Sequence, residues 1–226
     1  MRMREPGGVP SPPETCPGAT IRAMSYVWED SPRPVLGRKL TLEEWAAMDE
    51  DEPGELVDGY LEEEEVPGFV HELVVGWLLH LFGNWLGDRG WFIGSGAKYA
   101  VQPNRGRKPD VSVYLRNDEL KIPAHGIVRV PPDIAVEVVS PTPRDGRRDR
   151  IEKMAEYAAF GIRFYWILDP SFQSLEIFEL IAGRYSRVAY ATEGTMTTVP
   201  GCDGLSIDLD ALWNKLSRLA PPVDAS

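Results

Sequence analysis

Between Pro132 and Pro141 the chain runs Asp-Ile-Ala-Val-Glu-Val-Val-Ser. A segment this apolar and this rich in β-branched residues reads as a strand covered on both faces, because a strand with one wet face would alternate. Its sheet must therefore carry a layer on each side. Residues 147–160 follow at helical spacing with Gly161 as a C-cap, and residues 163–168 form a second apolar run ended by Asp169-Pro170. A strand, a helix and a strand of these lengths make a βαβ crossover with parallel strands. The anomaly is Glu137, a carboxylate inside the buried strand. Unpaired and ionised it would cost several kcal/mol, so the strand either pairs that charge or uses it to hold a cation.

The rest of the chain fits an α+β fold with an α/β core. Thr41-Leu42-Glu43-Glu44 is a capping box and predicts a short helix to Met48. Residues 55–61 predict two strands turning at Asp58-Gly59, a dipeptide suited to positive φ. Val70, Leu73, Val74, Trp77, Leu78, Leu81, Phe82 and Trp85 recur at helical spacing up to Gly87. His71 and His80 on this helix read as core-edge or surface histidines. Residues 91–101 read as one strand, 110–115 as the next, 175–180 and 185–190 as a hairpin around Gly183, and 208–219 as a closing helix. On the helix at 147–160, Ile151, Met154, Ala155 and Ala158 form the expected buried stripe, with Arg150, Lys153 and Tyr157 on the opposite face.

Residues 1–38, rich in Pro, Gly and Arg, read as a disordered or loosely attached leader, and 220–226 as a tail. A chain of 226 residues leaves room for one domain, at 39–219. The longest apolar run, 74–86, is broken by His80, Gly83 and Asn84 and is too polar to span a membrane. Two cysteines make neither a disulfide framework nor a zinc site, and no signal peptide opens the chain, which points to a reducing cytoplasm. A net charge of −11 argues against nonspecific coating of nucleic acid. The charge is unevenly spread, however. Residues 49–65 hold ten carboxylates and no Lys or Arg, whereas Lys98, Arg105, Arg107 and Lys108 gather in one stretch and Arg144, Arg147, Arg148, Arg150 and Lys153 in another. Each basic cluster reads either as a solvated surface or as part of a site.

Asp110 opens a strand, and Glu137 lies in the strand after it. If the two strands are antiparallel neighbours, their carboxylates approach to metal-bridging distance, and two carboxylates with a backbone carbonyl, water and a phosphate oxygen suit Mg²⁺. Pro109-Asp110, a spacing of 27 residues, and Glu137 on a hydrophobic strand resemble the PD-(D/E)xK signature of restriction-endonuclease-like nucleases. The wider pattern is more telling. Gly54-Glu55-Leu56-Val57-Asp58-Gly59, Lys108-Pro109-Asp110-Val111, Val136-Glu137-Val138-Val139-Ser140-Pro141, then Lys153 and Tyr157, then Tyr165-Trp166-Ile167-Leu168-Asp169-Pro170 are similar in order and spacing to the Uma family of restriction-endonuclease-like proteins, over residues 39–213.

The resemblance implies a mixed β-sheet flanked by helices and a Mg²⁺-dependent endonuclease acting on DNA, with Mn²⁺ able to substitute. It implies Asp110, Glu137 and the Val138 carbonyl as metal ligands, and Lys153, Glu55 and Tyr157 as further catalytic residues. Val139 stands where the signature has lysine, so the cation must come from Lys153 on the next helix. Arg144, Arg147, Arg148 and Arg150 are placed to contact DNA phosphates. A homodimer would suit cleavage of both strands and would use exposed apolar residues of the first long helix and the last hairpin. The alternative is a nuclease fold kept for DNA binding or protein assembly, with weak catalysis or none, which the missing lysine and the net charge both favour.

Overall fold

Thr41 accepts from the Glu44 amide while the Glu44 carboxylate accepts from the Thr41 amide, so the capping box forms and starts α1, Leu42–Ala46. The computed structural model describes residues 37–48, 54–62, 67–116, 120–140 and 148–219. The tail at 220–226, and all of the leader apart from residues 37 and 38, lie outside the described residues. Leu42 and Trp45 of α1 are buried. Trp45 lies flat on Gly106, where a Cβ would sit 2.2 Å from the indole, so only glycine permits the contact. That contact docks α1 on a small antiparallel sheet of four strands. These are β1 (Glu55–Val57), β2 (Tyr60–Glu62), β4 (Tyr99–Gln102) and β5 (Arg105–Arg107), in the order β2-β1-β5-β4. Asp58 and Gly59 turn between β1 and β2 with φ of 53° and 87°, the positive values their sequence suits.

The larger sheet has six strands. They are β3 (Trp91–Gly94), β6 (Val111–Tyr114), β7 (Ile134–Val138), β8 (Phe164–Asp169), β9 (Ser174–Ile181) and β10 (Arg184–Ala191), in the order β10-β9-β8-β7-β6-β3. β7 and β8 are parallel, as the crossover requires, and the other neighbours are antiparallel. The single strand expected over 91–101 is instead two, β3 and β4, which belong to different sheets. The break falls at Gly94-Ser95-Gly96-Ala97, where small residues let the backbone leave one sheet for the other.

One face of the large sheet is covered by α2 (Phe69–Leu86) and α4 (Leu209–Leu216). Val74, Leu78 and Phe82 of α2 meet Val111, Val113, Ile134, Val136, Phe164 and Trp166, all buried. Phe82 and Trp166 have ring centroids 5.4 Å apart. Each such side chain, fully buried, stabilises by about 1.5–3 kcal/mol. The opposite face is covered by a wide π-type turn, Arg148–Lys153, that runs into α3, Met154–Phe160. This helix is inverted relative to the expected stripe. Ile151 is 61% exposed, while Asp149, Lys153, Glu156 and Tyr157 are buried. They share one face by their spacing, and the layer beneath them, though largely apolar, holds Glu55, Arg107 and Glu137, with which Lys153, Glu156 and Tyr157 pair.

Candidate active site

The register of β6 and β7 sets Val111 against Val136 and Ser112 against Ala135, and one further step brings Asp110 level with Glu137. The period of two puts Ala135, Glu137 and Val139 on the face under α3. Glu137 is 2% exposed, and its charge is paired. Lys153 Nζ donates to Oε2 at 2.9 Å and the Tyr157 hydroxyl to Oε1 at 2.6 Å. The lysine absent at 139 thus arrives from the following helix.

Asp110 accepts the Val138 N–H on Oδ2 at 2.7 Å. The amide of Val138 is therefore the group that links it to Asp110. His71, in the first turn of α2, brings Nε2 to 3.2 Å from the same oxygen. It is no bystander histidine. Burial works against its positive charge, but Asp110, with help from Glu72, more than offsets this and raises its pKa.

Glu55, at the start of β1, is 1% exposed and lies under the same helix. Its Oε2 accepts from Arg107 Nη1 at 2.6 Å and its Oε1 from the Lys108 amide at 2.9 Å. Lys153 Nζ is 3.5 Å from Glu55 Oε1 and 3.5 Å from Asp149 Oδ1. One ammonium thus serves three carboxylates, and they do not share it equally. Burial alone would raise Glu55, but Lys153 and Arg107 hold it down at about 2. Burial raises Glu137 well above the usual carboxylate range, and Asp110, Asp149 and Glu55 add to this against Lys153. Asp149 is also raised, first by burial. Among the described residues its Oδ1 has no hydrogen-bond partner. Glu55 has an arginine of its own, which accounts for its different direction.

The arginines divide. Arg107, fully buried, bridges Glu55 and Glu156, and Arg105 pairs with Asp58 and Glu156. Within the first basic stretch Lys98 and Arg107 are therefore buried and internally paired, while Arg105 is only partly covered. Arg150 pairs with Glu176 and Asp169 at the end of β8 and β9, away from Lys153's partners. Arg148 Nε is 3.9 Å from Asp149 Oδ1. Arg144 and Arg147 lie outside the described residues.

Among the described residues no three His, Cys, Asp or Glu side chains are disposed to hold a metal ion. The donor chemistry nevertheless fits a hard cation. Mg²⁺ is commonly held by one or two carboxylates plus water and substrate phosphate, and each carboxylate offers about four lone-pair sites. Asp110 and Glu137 supply two neighbouring carboxylates in a cluster where Lys153 faces Glu137, Glu55 and Asp149, and Arg107 faces Glu55 and Glu156.

Asp149 and Glu156 were not singled out by sequence reasoning, His71 was read as a core-edge or surface histidine, and Arg107 was noted only within a basic stretch readable as surface or as site. For two of them a signal existed. Asp149, Lys153, Glu156 and Tyr157 lie at helical spacing and form a polar stripe as regular as the apolar one.

The sheet is mixed and has helices on both faces, with Asp110 just before β6, Glu137 on its antiparallel neighbour β7 and Lys153 on the helical segment that follows. A solved structure titled as a putative nuclease belonging to DUF820, from Anabaena variabilis, matches with a TM-score of 0.62 at 16% identity, over 78% of this chain and 99% of that one. At that identity the likeness establishes the fold. A family model described as "Uma2: Putative restriction endonuclease" matches residues 41–210. The chain belongs to the Uma2 family. No curated protein matches it.

Proposed function

We propose that the chain is a metal-dependent endonuclease that hydrolyses phosphodiester bonds in DNA. The observation that carries this reading is Lys153 Nζ at 2.9 Å from Glu137 Oε2, on a strand adjacent to the one that Asp110 precedes. The family's description as a restriction endonuclease supports a nucleic-acid substrate. Asp110, Glu137 and the Val138 carbonyl would hold Mg²⁺, or Mn²⁺ in its place, which when bound polarises the scissile phosphate and acidifies a water.

The protein's own groups do the rest. Tyr157 fixes the Glu137 carboxylate by donating to Oε1, and Lys153 places an ammonium donor beside Oε2, where it would orient the attacking water and offset negative charge on the phosphoryl oxygens. Glu55 keeps its negative charge and so helps hold Lys153 as the ammonium. Burial of all four side chains strengthens these interactions by excluding water. Phosphate contacts would fall to Arg148 and to Arg144 and Arg147. Arg150, already committed to Glu176 and Asp169, would serve this only by giving up those pairs.

Conversion of supercoiled plasmid to the nicked form tests the proposal. Wild type should nick in Mg²⁺ or Mn²⁺, and D110A and E137A should not. Nicking by folded D110A or E137A at the wild-type rate would sink it. A non-cleaving role in DNA binding or assembly is favoured by one feature: with Glu55 and Asp149 also at 3.5 Å, Lys153 serves as a structural counter-ion. Calorimetric binding of Mn²⁺ without nicking would support that second reading.

A further inference from the structure

Arg107 is an arginine with no solvent exposure, on β5 in the interior of the four-stranded sheet. Its guanidinium is divided between two elements. Nη1 donates to Glu55 Oε2 on β1 at 2.6 Å, while Nε and Nη2 donate to Glu156 Oε2 and Oε1 on α3 at 2.5 and 2.9 Å. Glu156 lies three residues after Lys153 and next to Tyr157. One side chain therefore ties the small sheet to the helix that delivers both partners of Glu137.

The distances around Lys153 show what this tie accomplishes. Nζ lies 2.9 Å from Glu137 but 3.5 Å from Glu55 and from Asp149. Of the two glutamates beside it, Glu137 has one other donor, the Tyr157 hydroxyl, and so has more to gain from the ammonium than a glutamate that has two. Glu55 already accepts from Arg107 and from the Lys108 amide. We infer that Arg107 is a positioning residue: by occupying Glu55 it leaves Lys153 to Glu137. Without it, Glu156 would keep Arg105, whereas Glu55 would be left with the Lys108 amide and Lys153, and the ammonium would be drawn across to it. Lysine could not replace it fully, since only the planar fork reaches two carboxylates on separate elements.

The inference rests on the nuclease reading for its activity readout, so two readouts on the full chain separate the two. The first is the ¹H–¹⁵N correlation of lysine ammonium groups, with the Lys153 resonance identified by its loss in K153R. It should be present in wild type, shifted or lost in R107M, and restored in R107M/E55Q, where Glu55 no longer competes. The second is plasmid nicking. R107M should lower kcat roughly 10- to 100-fold with KM within about twofold of wild type, and R107M/E55Q should recover part of the loss.

A merely structural Arg107 predicts the reverse for the double variant, because E55Q removes a further charged partner from the network. An R107M spectrum identical to wild type, or a double variant no better than R107M, overturns the inference. If R107M does not fold, R107K decides, with a smaller change in the same direction expected and no change contradicting it. Should wild type fail to nick while the ammonium signals follow the predicted order, the nuclease reading falls and the positioning role stands. A wild type that nicks but whose Lys153 signal ignores R107M has the opposite meaning.

Discussion

The two faces of the central sheet are both closed by buried apolar side chains, but only one has a charged cluster set into it. Beneath α2 and α4, Val111, Ile134, Val136, Phe164 and Trp166 close a layer of apolar side chains. Beneath α3, Ala135, Tyr165 and Ile167 of the same strands are buried and apolar too, but Glu137 stands among them, and the helical segment adds buried Lys153, Tyr157, Asp149 and Glu156. The apolar face gains from area removed from water. The charged face must match each carboxylate with a donor, and it does so at the expense of raised pKa values at Glu137 and Asp149. The first face holds the fold, and the second holds the groups able to do chemistry.

Breaking the apolar face should have the largest effect on stability. Trp166→Ala, at a fully buried position against Phe82, should cost about 3–5 kcal/mol and lower Tm by roughly 10 °C in calorimetry. A loss under about 1 kcal/mol would mean that the face repacks freely.

The charged face should respond differently to one substitution and to two. K153M strands Glu137 and should destabilise by about 3–5 kcal/mol in urea unfolding, whereas E137L/K153M removes both charges and should return to within about 1 kcal/mol of wild type or exceed it. Equal losses in the single and double variants would place the cost in packing and not in the unpaired charge.

Acid sharpens the contrast further. Glu55 is held at about 2 against an ordinary 4.5, so its folded pKa is depressed. Its contribution, on the order of 3 kcal/mol, is present above pH 4.5 and lost as pH falls from there towards 2. The Tm difference between wild type and E55Q should therefore shrink between pH 5 and pH 3. A constant difference would remove Glu55 from the acid response.

The smallest effect belongs to Ile151→Glu, on the outward side of the π-type turn at 61% exposure, which should shift stability by no more than about 0.5 kcal/mol. A core-sized loss would restore the apolar stripe as the inward face.

That last position shows where sequence reasoning reached its limit. The strand at Ile134–Val138, its parallel partner and the crossover helix were legible because a run of β-branched residues and the turn residues around it carry their own structural signal. Glu137 and Lys153 were legible through the misfit of a charge on a buried strand and through the family pattern. The orientation of α3 was not, because amphipathic reasoning assumes that the buried side is apolar, and Ile151 and Ala155 fit that pattern yet are exposed. Arg107 and His71 stayed hidden for another reason. Arg107 meets Glu156 across 49 residues of sequence, and His71 meets Asp110 across a similarly long separation, so neither partner is suggested by local spacing. The break after Gly94 was concealed by small residues that read equally well as a softened strand.

On the proposed nuclease reading, the charged cluster is there for chemistry and not for stability. Metal-dependent plasmid nicking by E137L/K153M beside wild type tests it most directly, since the double variant keeps a filled and folded core. The account predicts nicking by wild type and none by the double variant at equal or higher Tm; nicking by the double variant at the wild-type rate would contradict it.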